Sequence, residues 1–135
     1  MTDSSNLLYE YHEKIETFLK FDEINIKDAQ MALPSVRHYW VGRLMFHKQQ
    51  IQKLKKAKDK AAKTIKQKLE AESPVSLNIK TINDSILSNE VIIKIEEEIN
   101  NNELIVEYLN KVESNLRDAQ YGMTNLTKII TLETT

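Results

Sequence analysis

Residues 105–130 read IVEYLNKVESNLRDAQYGMTNLTKII. Within them Ile105, Leu109, Val112, Leu116, Ala119, Met123, Leu126 and Ile130 recur at steps of 4 and 3 without a break, which is the heptad signature of a helix that lays one narrow apolar stripe against a partner. A stripe this narrow does not belong to a helix buried on all sides. Extended back to Ser88 as its N-cap, the pattern predicts one helix over 88–131, about 66 Å long at 1.5 Å per residue. That length exceeds the diameter of a globule built from 135 residues. Another long helix, from this chain or from a neighbour, must therefore cover the stripe. Gly122 interrupts the helix propensity at about 1 kcal/mol; it either permits a close helix approach or is neutral.

A second heptad-patterned segment lies upstream. Trp40, Leu44, His47, Ile51, Leu54, Lys58, Ala61, Ile65 and then Lys68 or Leu69 again alternate steps of 4 and 3. They predict a helix over 36–72, about 55 Å long, with a seam that weakens at Lys58 and Ala61. Pro34 restricts Leu33 to extended geometry, so this helix is expected to start afresh, with Ser35 as its candidate cap. Ahead of it, residues 21–35 read as a connector. Residues 5–20 read as a short amphipathic helix capped by Ser5, with Leu8, Tyr11, Ile15, Phe18 and Leu19 on one side. Residues 73–87, opened by Ser73-Pro74, read as a second connector, in which the alternation Val75 to Ile82 suggests a short strand. The expectation is a single all-α domain over 1–135, with two long heptad-patterned helices and a short N-terminal one, assembled into a homo-oligomeric helical bundle or ring.

Composition agrees. Only 2 Gly and 2 Pro among 135 residues, with 29% charged, mean few turns and long helices. The absence of Cys removes disulfides, thiolate chemistry and cysteine-based zinc sites. Met1 to Asn6 lacks the basic-then-apolar order of a signal peptide, and no apolar run approaches the roughly 20 residues of a membrane helix. The expected location is cytoplasmic.

The net charge of −1 conceals three blocks. Residues 1–36 carry 3 Lys against 7 acids, a balance of −4. Residues 37–68 carry 9 Lys and 2 Arg against Asp59 alone, a balance of +10. Residues 69–135 carry 5 basic and 12 acidic residues, a balance of −7. A local field of this size is what a polyanion responds to.

Lys53, Lys56, Lys60 and Lys63 form a continuous helical row at steps of 3, 4 and 3. Lys48, Lys55, Lys58, Lys66 and Lys68 flank it, and Arg37 and Arg43 extend it towards the helix start. Lysine-rich helices are most often solvated faces, held by acids four residues away. Here the acids are nearly absent, so the charges repel one another, and contact with nucleic-acid phosphates is the better reading: each neutralised phosphate releases a counterion. Tyr39, Trp40 and Phe46 lie just upstream. Exposed aromatics beside a basic groove stack on unpaired bases and so favour single strands, whereas Trp40 falls on the seam and is expected in the core.

Other chemistry lacks its residues. His12, His38 and His47 form no i,i+4 pair and carry no carboxylate cluster, so no metal is expected, and His47 is expected to be packed. Glu96-Glu97-Glu98 reads as a solvent-facing run, or as a partner for lysines of another subunit. There is no glycine-rich phosphate loop and no recognisable Ser/His/Asp arrangement. Neither an enzyme nor a cofactor is expected.

The order of these segments resembles the UvsY family, the recombination mediator proteins of large tailed phages. Three regions carry the resemblance: Phe21-Asp22-Glu23-Ile24-Asn25 followed by Leu33-Pro34 and Arg37-His38-Tyr39-Trp40; the lysine-rich helix; and Leu109-Asn110-Lys111-Val112-Glu113-Ser114-Asn115-Leu116-Arg117-Asp118-Ala119-Gln120-Tyr121, continuing to Asn125, Lys128 and Ile129-Ile130. Together they span roughly residues 5–133. The resemblance implies a protein of phage DNA recombination, repair and replication in the host cytoplasm. Such a protein binds single-stranded DNA, helps displace the single-strand-binding protein and loads a RecA-like recombinase. It also implies a hexamer or heptamer joined through the C-terminal helices. The family's Leu-Lys-Ala-Arg element, associated with DNA binding, corresponds best to Ala62-Lys63-Thr64-Ile65, where Lys63 alone carries over and Ile65 stands in place of Arg.

The sequence therefore points to a recombination mediator whose DNA-binding residues are Arg37, Arg43, Lys48, Lys53, Lys55, Lys56, Lys58, Lys60, Lys63, Lys66 and Lys68. Its oligomer seam is expected to be Ile105, Leu109, Val112, Leu116, Ala119, Met123, Leu126 and Ile130. The competing reading is a coiled-coil adaptor or scaffold, in which the lysine helix pairs with the acidic helix of a neighbouring subunit and no nucleic acid is involved.

Overall fold

The computed structural model describes residues 4–73 and 75–134. Among them are four α-helices and no strand: α1 (Ser4–Leu19), α2 (Ile26–Glu72), α3 (Ile79–Leu87) and α4 (Glu90–Thr134). None is long and apolar enough to cross a membrane. Ser5 lies inside α1 and its side chain is outside the described residues, as is Pro74.

Two of the expected connectors are largely helical. The helix expected to begin at 36 begins at Ile26 instead. Its start is built by a polar turn: Asp22 Oδ1 accepts from the backbone N–H groups of Ile24 (2.9 Å) and Asn25 (3.1 Å), and Asn25 Oδ1 accepts from that of Asp22 (2.7 Å). The Asn25 carbonyl then takes the first helical bond, from Ala29 N–H at 2.9 Å. Pro34 therefore lies inside the helix, where the lost N–H and the ring clash cost about 3 kcal/mol. Apolar burial offsets that cost. Ile26, Ala29, Leu33, Val36 and Trp40 continue the 3–4 seam through the proline, and all pack on the core, while Pro34 itself faces solvent.

The second connector holds α3 rather than a strand. Asn78 caps it, its side chain accepting from Thr81 N–H at 2.7 Å, which supplies the first orphan donor with a partner. Ser88, expected to open the last helix, instead closes α3, its N–H donating to the Asp84 carbonyl at 3.1 Å. Asn89 takes the opening role: Oδ1 accepts from Val91 N–H at 2.9 Å and its carbonyl from Ile93 N–H at 3.0 Å.

The chain forms two compact units, and α2 and α4 contribute to both. The first comprises Met1–Phe46 and Ile105–Thr135. Here Tyr11 and Ile15 of α1, Leu33, Trp40 and Leu44 of α2, and Ile105, Leu109, Val112, Leu116 and Met123 of α4 make one buried cluster. Gln30 Nε2 donates to Thr127 Oγ1 and Arg37 Nη1 to Gln120 Oε1, both at 3.1 Å, so α2 and α4 run antiparallel there. The second unit is His47–Leu104. His47, Ile82, Ile92 and Ile99 are buried in it, and Ile51, Leu54, Lys58, Ala61, Ile65 and Leu69 are half-buried in heptad order. Leu69, rather than the exposed Lys68, closes the seam.

Candidate nucleic-acid interface

In the second unit, the apolar seam of α2 determines where its lysines point. Residues 3 and 4 apart share a face, so burying Ile51, Leu54, Ala61 and Ile65 places Lys53, Lys56, Lys60 and Lys63 on the opposite ridge. Those four are exposed, and so are Lys48, Lys55, Lys66 and Lys68. Among the described residues no carboxylate lies within ion-pair distance of these eight. Asp59, the one acid of this stretch, is exposed among them and joins none.

Lys58 is the exception. It sits on the seam, half-buried, and its Nζ donates to Glu96 Oε1 of α4. It is thus separated from the free row. Glu96 in turn is not part of a wholly solvent-facing run: Glu96 and Glu98 are half-buried and only Glu97 is exposed. The heptad sets Lys58 apart, since it stands at an apolar position of the seam, but it does not identify Glu96 as the partner.

The two arginines lie in the first unit and are half-buried. Arg37 is held by Gln120. The Arg43 guanidinium lies 5.6 Å from the Tyr39 ring centre and 5.5 Å from that of Phe46, within cation–π range. Lys14 of α1, which sequence reasoning passed over, places its Nζ 3.5 Å from the Tyr39 hydroxyl and 5.7 Å from the ring centre. Trp40 is buried, as expected of a seam residue, and meets Tyr11 and Tyr39 edge to face at 5.3 and 5.1 Å. Tyr39 and Phe46 remain 41% and 43% exposed. Burial pushes the Tyr11 phenol above its ordinary value, and the charge of Arg43 pulls it partly back.

Of the eight residues expected to join subunits, six are covered by this chain itself. Ile105, Leu109, Val112, Leu116, Ala119 and Met123 are buried within this chain. The neighbour their stripe required is the chain's own α1 and α2. Leu126 and Ile130 are half-buried. Among the described residues no cluster of three or more His, Asp or Glu could hold a metal ion.

No family model matches the chain, and no curated protein sequence does. Solved structures do. A crystal structure of the bacteriophage T4 recombination mediator protein UvsY superposes with a TM-score of 0.78 at 10% identity, covering 93% of this chain and 98% of that one. A second lattice form of the same protein gives a TM-score of 0.76 at 8% identity, covering 94% and 97%. Agreement over nearly the full length of both chains, at an identity too low to show descent, establishes that this chain has a UvsY-like fold.

Proposed function

We propose that this protein is a non-enzymatic recombination mediator that binds single-stranded DNA through the exposed lysines of α2. The observation that carries the reading is the row Lys53, Lys56, Lys60 and Lys63, with Lys48, Lys55, Lys66 and Lys68 beside it, solvent-exposed and lacking carboxylate partners among the described residues. Self-repulsion along such a row is relieved by phosphates, which release their own counterions on contact. The fold shared with the T4 recombination mediator supports the same reading. In that role the protein acts in the host cytoplasm, helps displace single-strand-binding protein and loads a RecA-like recombinase. It works as a homo-oligomer, and the half-buried Leu126 and Ile130 near the end of α4 are candidates for its contacts.

The test is fluorescence anisotropy with a short single-stranded oligonucleotide over a salt series. Substituting Lys56, Lys60 and Lys63 together by Ala should weaken binding and flatten the dependence of log K on log salt by about 2, at roughly 0.7 for each phosphate that is no longer neutralised. Unchanged affinity at low salt would remove the lysine row from the interface. A scaffold reading has one specific observation in its favour: Lys58 already pairs with Glu96 within the chain, so lysine–glutamate matching between copies is available chemistry. A scaffold predicts self-association that weakens with salt and an oligonucleotide that does not bind.

A further inference from the structure

The α4 stripe that heptad spacing marks for assembly is mostly used inside the chain, where six of its eight residues are buried. Two other stripes of helix surface are left uncovered. On α2, Lys27, Met31, Pro34, His38, Val41, Met45 and Lys48 follow one another at steps of 4 and 3, and all seven are exposed. This ridge faces away from the seam of Leu33, Trp40 and Leu44, where a surface helix ordinarily carries charges of both signs. Here it carries no acid, and Met31 and Met45 are 72% and 58% exposed. On α4, Glu90, Ile93, Glu97, Asn100 and Leu104 recur at steps of 3 and 4, and all five are exposed. That stripe carries no base, and the exposed Glu103 stands beside it. Among the described residues Lys27, Lys48, Glu90, Glu97 and Glu103 join no ion pair.

We propose that the α2 ridge of one copy docks on the α4 stripe of the next, so that the chain assembles head to tail. This rests on the homo-oligomer reading above and names the two surfaces. Three observations select a second copy as the occupant. Each stripe sets apolar side chains among charges of one sign, and the two signs are opposite. Met31 to Met45 and Glu90 to Leu104 both cover 14 positions, about 21 Å of helix, so the faces match in length. Each face also opposes pairing with itself. Two α2 ridges would bring Lys27 and Lys48 against lysines whichever way they ran, and two α4 stripes would bring glutamate against glutamate. The flexible thioethers of Met31 and Met45 suit an uneven partner surface, and the charges fix which face meets which. A contact between two different faces closes into a ring, or runs on as a filament if the rotation does not close. Lys53, Lys56, Lys60 and Lys63 belong to neither stripe and stay open to phosphates.

The experiment measures the mass of the full chain in solution by sedimentation at low salt. One variant spoils the α2 ridge, Met31→Glu with Met45→Glu; the other spoils the α4 stripe, Ile93→Glu with Leu104→Glu. All four positions are exposed, and helical circular dichroism confirms that each variant is folded. The wild type should sediment as several chains, and each variant alone as one. An equal mixture of the two variants should sediment as two chains. In it one unaltered ridge still meets one unaltered stripe, while the remaining faces, glutamate against glutamate, repel. If both variants keep the wild-type mass, these surfaces are not the contact and the homo-oligomer reading stands without them. If only one variant dissociates, or if the mixture stays at one chain, the head-to-tail contact is overturned, and the face that matters pairs with itself or takes a different protein. If the wild type is itself a single chain, the homo-oligomer reading falls and the proposal falls with it.

Discussion

His47 Nδ1 donates to Asn102 Oδ1 across 2.9 Å inside the second unit. The direction follows from the next link, because Asn102 Nδ2 donates to the Glu98 carbonyl at 2.9 Å, which turns the amide oxygen towards the ring and makes Nδ1 the protonated nitrogen. His47 is 2% exposed and occupies a heptad position, where a single polar pair favours one register of the two helices over its neighbours. Replacing Asn102 by Leu takes this acceptor away from a buried donor and should lower stability by about 1–3 kcal/mol. The double change His47→Leu with Asn102→Leu should recover much of that loss. Urea denaturation of both variants checks it, and additive losses would deny the coupling.

The Lys58–Glu96 pair separates Lys58 from its neighbours in function as well as in position. Lys58→Ala should weaken oligonucleotide binding less than Lys56→Ala, since the ammonium it removes is already matched. Glu96→Gln should strengthen binding, because it keeps the shape and frees a cation on the basic helix. Both are read by anisotropy at low salt. The effect of either change on stability should stay within about 1 kcal/mol, as expected for a pair that remains partly in water.

How far these relationships were visible in the sequence depends on their range. Trp40, Leu44, Ile105 and Leu116 announced themselves through heptad spacing, because a narrow stripe must be buried whatever buries it. Lys53, Lys56, Lys60 and Lys63 followed by geometry, as the face opposite a seam. The helix start at Ile26 was missed because Pro34 is locally a strong stop, and the tertiary burial of Ile26, Ala29 and Leu33 outweighs it. Asn78 and Asn89 were missed for a similar reason: a cap is one hydrogen bond, and Ser88 looked equally able to make it. Lys14 beside Tyr39, and Glu96 against Lys58, join residues 25 and 38 positions apart, and no local pattern carries such a pairing. The owner of the α4 stripe was also hidden, since spacing says that Leu109 and Val112 are covered but not by which chain.

The two glycines make a paired prediction. Nothing lies within 4 Å of where a Cβ on Gly42 would stand, whereas one on Gly122 would meet Phe21 Cζ at 3.2 Å. Both are helical, so Ala gains up to about 1 kcal/mol of propensity at each. Gly42→Ala should keep that gain and raise the thermal midpoint. Gly122→Ala must push the Phe21 ring aside by a few tenths of an ångström, so its gain should be smaller or reversed. A Gly122→Ala, Phe21→Leu double variant should restore the gain if the ring edge is the obstacle. Midpoints that rise equally in both single variants would show that Phe21 yields freely.

Burial raises the phenol of Tyr11, with Arg43 opposing, and raises that of Tyr108, with Glu16 adding to it. A group whose folded value lies above its unfolded value keeps its proton longer in the folded state. Its stabilising contribution is therefore complete below the unfolded value of about 10 and is lost as pH rises through the folded one. Urea midpoints should fall more steeply above about pH 10 in the wild type than in Tyr11→Phe, which cannot ionise at that position. The two proteins differ at this one hydroxyl, so the difference between their profiles isolates the phenol. Tyr108→Phe should give a second, separate flattening, because Glu16 rather than Arg43 is the charge it faces. Parallel profiles for all three proteins between about pH 9 and 11.5 would mean that neither phenol is held back in the folded chain.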